Sequence, residues 1–141
     1  MKSLNSLNRL VDLREREVDR LQAEVGAKEA VRQRYRGNLE RLEALCTDSG
    51  ASGQLPPTLA FNCAGYKQTV LQLAATHRES LVLHEADMAA TQRALMLASR
   101  RHQVLDQVRE RHQERSLQAT AVREQKRQDE LASQVWWRGQ R

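Results

Sequence analysis

At 141 residues, with 29% charged and only 4% aromatic side chains, the chain is too polar to wrap a rounded globular core. Ala, Leu, Glu, Gln and Arg dominate, which is the profile of a coiled coil. The net charge of +5 is concentrated at the ends: ten Lys/Arg against eight Asp/Glu in residues 1–46, three against four in 47–99, and ten against six in 100–141.

Opposite charges interleave at helical spacing, as in Arg14-Glu15-Arg16-Glu17, so the basic sign alone selects no partner among acidic proteins, nucleic acid and anionic lipid. No apolar run reaches the roughly 20 residues that cross a bilayer, and no apolar signal core follows Lys2. Two cysteines, Cys46 and Cys63, without CxxC spacing and without a signal sequence, point to the cytosol.

The first arm is expected to be helical over about 3–46. Alternating steps of four and three residues from Leu7 reach Val11, Arg14, Val18, Leu21, Val25, Lys28, Arg32, Tyr35, Leu39, Leu42 and Cys46, and nine of these twelve positions are apolar. Arg14, Lys28 and Arg32 interrupt the seam, but their alkyl stems can lie along it with the charge in water. Gly26 and Gly37 weaken the helix by about 1 kcal/mol each without stopping it. At 1.5 Å per residue the arm is about 65 Å long.

The stretch Thr47 to Pro57, Thr-Asp-Ser-Gly-Ala-Ser-Gly-Gln-Leu-Pro-Pro, is the one place where no helical ladder can run, and it is expected to form a tip loop over 47–57. Cys46 and Cys63 flank it and, reduced, act as small apolar residues. The second arm is expected over about 58–137, capped by Thr58 or, for a later start, by Asn62. The same stepping from Val70 visits Ala74, His77, Leu81, His84, Met88, Thr91, Leu95, Ala98, His102, Leu105, Arg109 and His112, while Leu73, Leu83, Leu97, Val104 and Val108 fall outside it. All four histidines lie on this one seam; they read either as a pH-sensitive interface or as tolerated polar interruptions.

The fold class is therefore all-α: two long helices in an antiparallel coiled-coil hairpin, the second longer, forming a single domain over 1–141. At full extension the second arm reaches about 120 Å. Pairing about a turn near residue 54 sets Leu7 beside the region of His102 and leaves everything past about Leu105 without a partner in the chain. Trp136-Trp137 is either a docking point on a partner or membrane surface, or a tail with no such role.

No Gly-rich phosphate loop, nucleophile elbow or paired-Cys ligand set is present, so neither enzymatic activity nor a cofactor, metal or small-molecule substrate is expected. A DNA-binding zipper needs an uninterrupted basic block, and Arg123 to Arg127 is broken by Glu124 and followed by Asp129-Glu130. The residues themselves leave a coiled-coil binding protein. Its rival forms are a generic cytoplasmic adaptor or oligomerisation protein and a basic nucleic-acid-binding coiled coil.

Three stretches in order resemble the FliJ family of flagellar export proteins and, more distantly, the stalk proteins of type III secretion. The first is Leu7-x-x-Leu10-x-Asp12-Leu13-x-Glu15-x-Glu17-Val18 with Gly26 following. The second is Tyr66-x-x-x-Val70-x-x-Leu73-x-x-x-His77-Arg78, and the third is Glu124-Gln125-Lys126-Arg127-Gln128-Asp129-Glu130-Leu131-Ala132. The resemblance implies a non-enzymatic motility component shaped like the central stalk of rotary ATPases. Such a stalk enters the hexameric export ATPase, couples it to the membrane-embedded export gate and contacts export chaperones. It binds no nucleic acid, and it sits in the cytoplasm at the flagellar base, held peripherally at the membrane through partners. Carried over by position, the gate-binding surface falls on Asn38, Leu42, Leu45, Tyr66, Val70, Leu73 and His77, with Leu45 standing where an aromatic is expected. For the ATPase, charge and the overhang select Leu7, Val11 and Leu13 with Arg109, Arg123, Lys126 and Arg127.

Overall fold

The computed structural model describes residues 2–48 and 55–140. Two helices fill them, α1 (Lys2–Asp48, 47 residues) and α2 (Pro57–Gly139, 83 residues), and no strand occurs among the described residues. They pack as a hairpin whose second helix is the longer. Helix α1 runs unbroken through Gly26 and Gly37, as the strength of the surrounding pattern predicts.

The expected loop is trimmed at both ends. Thr47 and Asp48 still belong to α1, where the Thr47 hydroxyl donates to the Ala44 carbonyl at 2.9 Å. Residues 49–54 lie outside the described residues. Neither Thr58 nor Asn62 caps α2, because the helix already begins at Pro57. The Pro56 carbonyl accepts from the Leu59 and Ala60 amides, both at 3.0 Å. Pro57 thus occupies the first helical position, where its missing N–H costs nothing and its fixed φ is already helical.

Packing divides the chain into two units, Asp19–Leu97 and Met1–Val18 with Ala98–Arg141. In each, the alternating four-three seam is what is covered. All twelve seam positions of α1 from Leu7 to Cys46 are buried or half-buried, and so are those of α2 from Val70 to Arg109. Val11, Leu21, Val70, Ala74, Met88 and Ala98 are the buried apolar residues. Leu73, Leu83, Leu97, Val104 and Val108, which the stepping passes over, are all exposed, so the four-three steps hold from Val70 to Arg109. His77, His84 and His102 are half-buried, whereas His112 is exposed and stands outside the seam.

The three cations that interrupt the α1 seam are all accommodated. Arg14 bonds Glu17 at 2.7 Å, Arg32 bonds Glu29 at 2.8 Å, and Lys28 crosses to α2. Its Nζ donates to Thr91 Oγ1 and pairs with Asp87 Oδ2, both at 2.7 Å, while Glu24 lies at 3.2 Å. The His84 Nε2–H donates to the Lys28 carbonyl at 2.7 Å, and Tyr35 packs against His77 and His84 with ring centroids 5.5 and 5.8 Å away. Cys46 and Cys63 are both half-buried.

In the Asp19–Leu97 unit the helices pair further along α2 than a turn near residue 54 would give. The inter-helix ion pairs Arg36–Glu85 (2.9 Å) and Glu43–Arg78 (2.6 Å) are both centred near residue 60. The end of α1 therefore lies beside residues near Leu73, and the first turns of α2 run past it. Leu59 (50% exposed), Phe61 (81%) and Tyr66 (49%) stand uncovered there.

The Lys28–Asp87 pair carries a pH signature. The hydrogen bond from Lys28 is the main cause holding the Asp87 carboxyl below its ordinary 3.8, and the hydrogen bond to Asp87 is the main cause lifting Lys28 above 10.5. A carboxylate with a lowered folded pKa adds stability that is full above its unfolded value and is lost as pH falls through the folded one. A lysine with a raised pKa adds stability below its unfolded value that is lost as pH rises through the folded one. Melting temperature is thus expected to be level between about pH 5 and pH 10 as far as this pair is concerned, and to fall outside that range. The acid limb should be shallower in Asp87→Asn. The change is small, because Asp87 is 62% exposed and water screens it. An identical acid limb in the variant would remove the pair from the set of stabilising contacts.

Candidate functional site

In a pair of helices the candidate sites are the rows beside the seam. With Leu39 and Ala74 at heptad position a, and Leu42 and Val70 at d, the flanking positions are e and g. In an antiparallel pair e faces e and g faces g. The e row of the Asp19–Leu97 unit is closed by ion pairs, since Arg36, Glu43, Arg78 and Glu85 all sit at e and pair across. The g row near the end of α1 is chemically different: it carries Asn38, Leu45, Tyr66 and Leu73, all exposed.

The seven residues expected at the gate-binding surface therefore divide into two kinds. Asn38, Leu45 (46% exposed), Tyr66 (49%) and Leu73 (50%) form one open flank. Leu42 and His77 are half-buried seam residues, and Val70 is buried at 7% exposure. Those three sit in the seam between the two helices, and the other four are open to solvent. Leu59 is one heptad before Tyr66 and half exposed, so it extends the same row along the uncovered start of α2. It was legible as the spacing Leu59, Tyr66, Leu73, but it sits in a turn that the sequence assigned to the cap region. Further along, the row ends in charge, with Lys28 held between Glu24 and Asp87.

The residues expected at the ATPase all belong to the other unit. Val11 is 2% exposed and is core, and Leu7 is half-buried, whereas Leu13 is 61% exposed. Arg109 is half-buried and pairs with Asp106 one turn before it. Beyond Arg109 every described residue, from Glu110 to Gln140, is exposed, including Arg123, Lys126 and Arg127. Leu117 (70%), Val135 (71%), Trp136 (61%) and Trp137 (70%) lie bare along this segment, with the two indoles edge to face at 6.1 Å.

Among the described residues no three His, Cys, Asp or Glu side chains come together as metal ligands, and neither helix is long and apolar enough to cross a membrane. What the geometry provides is an apolar flank in one unit and an uncovered helical arm in the other.

No curated protein and no solved structure matches this chain. The family described as flagellar FliJ protein matches residues 1–141, the whole chain, which therefore belongs to the FliJ family of flagellar export components.

Proposed function

We propose that this chain is the central stalk of the flagellar export ATPase: its uncovered α2 arm enters the hexameric ring, and the g row of the Asp19–Leu97 unit meets the export gate. The carrying observation is the arm itself. From Glu110 to Gln140 α2 keeps its helix, up to a final turn at Gln140, without a single buried residue. An isolated helix of this composition is marginal in water, so a partner that covers the arm stabilises it. The cations Arg123, Lys126 and Arg127 attract an acidic ring lining, and Leu13 adds an apolar contact from α1. Hydrolysis belongs to the ring; the stalk binds no nucleotide. The same exposed arm and flank leave room for export chaperones, and association with the membrane is through partners.

Mixing the purified chain with the export ATPase tests this reading. Faster ATP hydrolysis and a shift of the ATPase towards hexamers in sedimentation are expected. A preparation that changes neither would leave a generic coiled-coil adaptor as the better description.

A further inference from the structure

We infer that the face of α2 running through Arg101, Val104, Val108, Arg111 and Arg115, edged by Leu10 of α1, is a docking groove for an acidic amphipathic helix of another protein. Within the unit of residues 1–18 and 98–141, Leu10, Val104 and Leu105 floor an open groove of about 430 Å³, and Arg14, Arg100 and Arg101 line it. Leu10 is 40% exposed, Val104 60% and Val108 45%, so the floor is apolar and largely bare. Steps of three and four residues put Arg101, Val104, Val108, Arg111, Arg115, Gln118 and Val122 on one face. No carboxylate lies on that face over these residues, because Asp106, Glu110 and Glu114 fall to other sides of the helix.

The cations on and beside this face have no carboxylate partner among the described residues. Among the described residues Arg100, Arg101, Arg111 and Arg115 make no ion pair, in contrast to Arg109, which pairs with Asp106. Arg111 and Arg115 are four residues apart, where like charges repel and weaken the helix. The carboxylate nearest Leu10 on its own row, Glu17, is bonded to Arg14 at 2.7 Å. A helix lying in the groove with Leu-type residues on the floor and carboxylates at its edges would cover the valines and neutralise the row at once. The span from Arg101 to Arg115 is about 21 Å, or roughly four helical turns, which sets the length of partner needed. Nucleic acid would leave the valines unused, and a bilayer would find no aromatic on this face. Of the proposed ATPase contacts, Arg109, Arg123 and Arg127 lie on another side of α2, whereas Lys126 continues this face beyond Arg115; the groove is therefore tested on the chain alone, where the stalk reading plays no part.

The test is fluorescence anisotropy of the full chain with two synthetic three-heptad peptides, identical in their leucines and differing in Glu or Lys at the flanking positions. Anionic phospholipid vesicles and a DNA duplex are measured in parallel. The Glu peptide is expected to bind at least about tenfold tighter than the Lys peptide. Arg111→Glu with Arg115→Glu, and separately Val104→Asp, should each weaken it by about tenfold or more with helicity unchanged, since all three positions are exposed. Arg34→Glu with Arg93→Glu, the same charge change on exposed residues elsewhere, should leave binding intact. Equal loss in that control, equal affinity for both peptides, no binding, or binding to vesicles or DNA alone would each overturn the groove.

Discussion

Truncation of Met88 to Ala is expected to destabilise the hairpin by about 2 to 3 kcal/mol, whereas Leu83→Ala is expected to change it by no more than about 0.5 kcal/mol. The two residues are five positions apart on one helix, and both are large and apolar. Met88 is 5% exposed in the seam, next in the stepping to His84 and Thr91, while Leu83 is 72% exposed. A two-helix seam buries few side chains fully, so each removed one is a large share of the total. Urea unfolding followed by far-UV circular dichroism separates the two, and comparable losses would mean that the seam is not where the four-three steps put it.

The second large effect concerns binding rather than folding. Among the described residues, those after Arg115 are all exposed, so on their removal the melting temperature should stay within a few degrees while stimulation of the export ATPase is lost. Leu45→Ala with Leu73→Ala should do the reverse, weakening the export gate complex by about tenfold or more and leaving ATPase stimulation intact. Leu45 and Leu73 are better probes than Leu42 or His77, because those two are half-buried in the seam and their loss would also loosen the hairpin. If the truncated chain still stimulates the ATPase, the arm is not the shaft; if the leucine variant loses both activities together, the flank is not a separate surface.

Much of this architecture was legible in the chain because a heptad pattern states which side of a helix is covered. Stepping from Leu7 and from Val70 identified every buried apolar residue among those described, and even the awkward members Lys28 and Thr91 proved to belong, as partners in a hydrogen bond of 2.7 Å. The pairing of one helix against the other was less legible. Sliding two heptad seams past each other by whole heptads leaves the pattern unchanged, so the loop composition alone placed the turn near residue 54. The flanking charges decide otherwise, since Arg36 opposite Glu85 and Glu43 opposite Arg78 are complementary only in the alignment centred near residue 60. The same alignment uncovers Leu59 and Phe61, which a pairing about residue 54 would set beside α1. The gate-binding residues were legible as helical spacing, but their split into an open flank and a seam depends on that alignment.

Alignment is also where the fold-back is most exposed to disproof. With Cys46 and Cys63 changed to Ser, spin labels at positions 36 and 85 are expected to give a short, narrow distance distribution by double electron–electron resonance. Labels at 36 and 72 should lie farther apart by an axial offset of about 20 Å. If the 36 and 72 pair is instead the closer one, or if neither pair shows a defined distance, the two helices do not lie against each other as described.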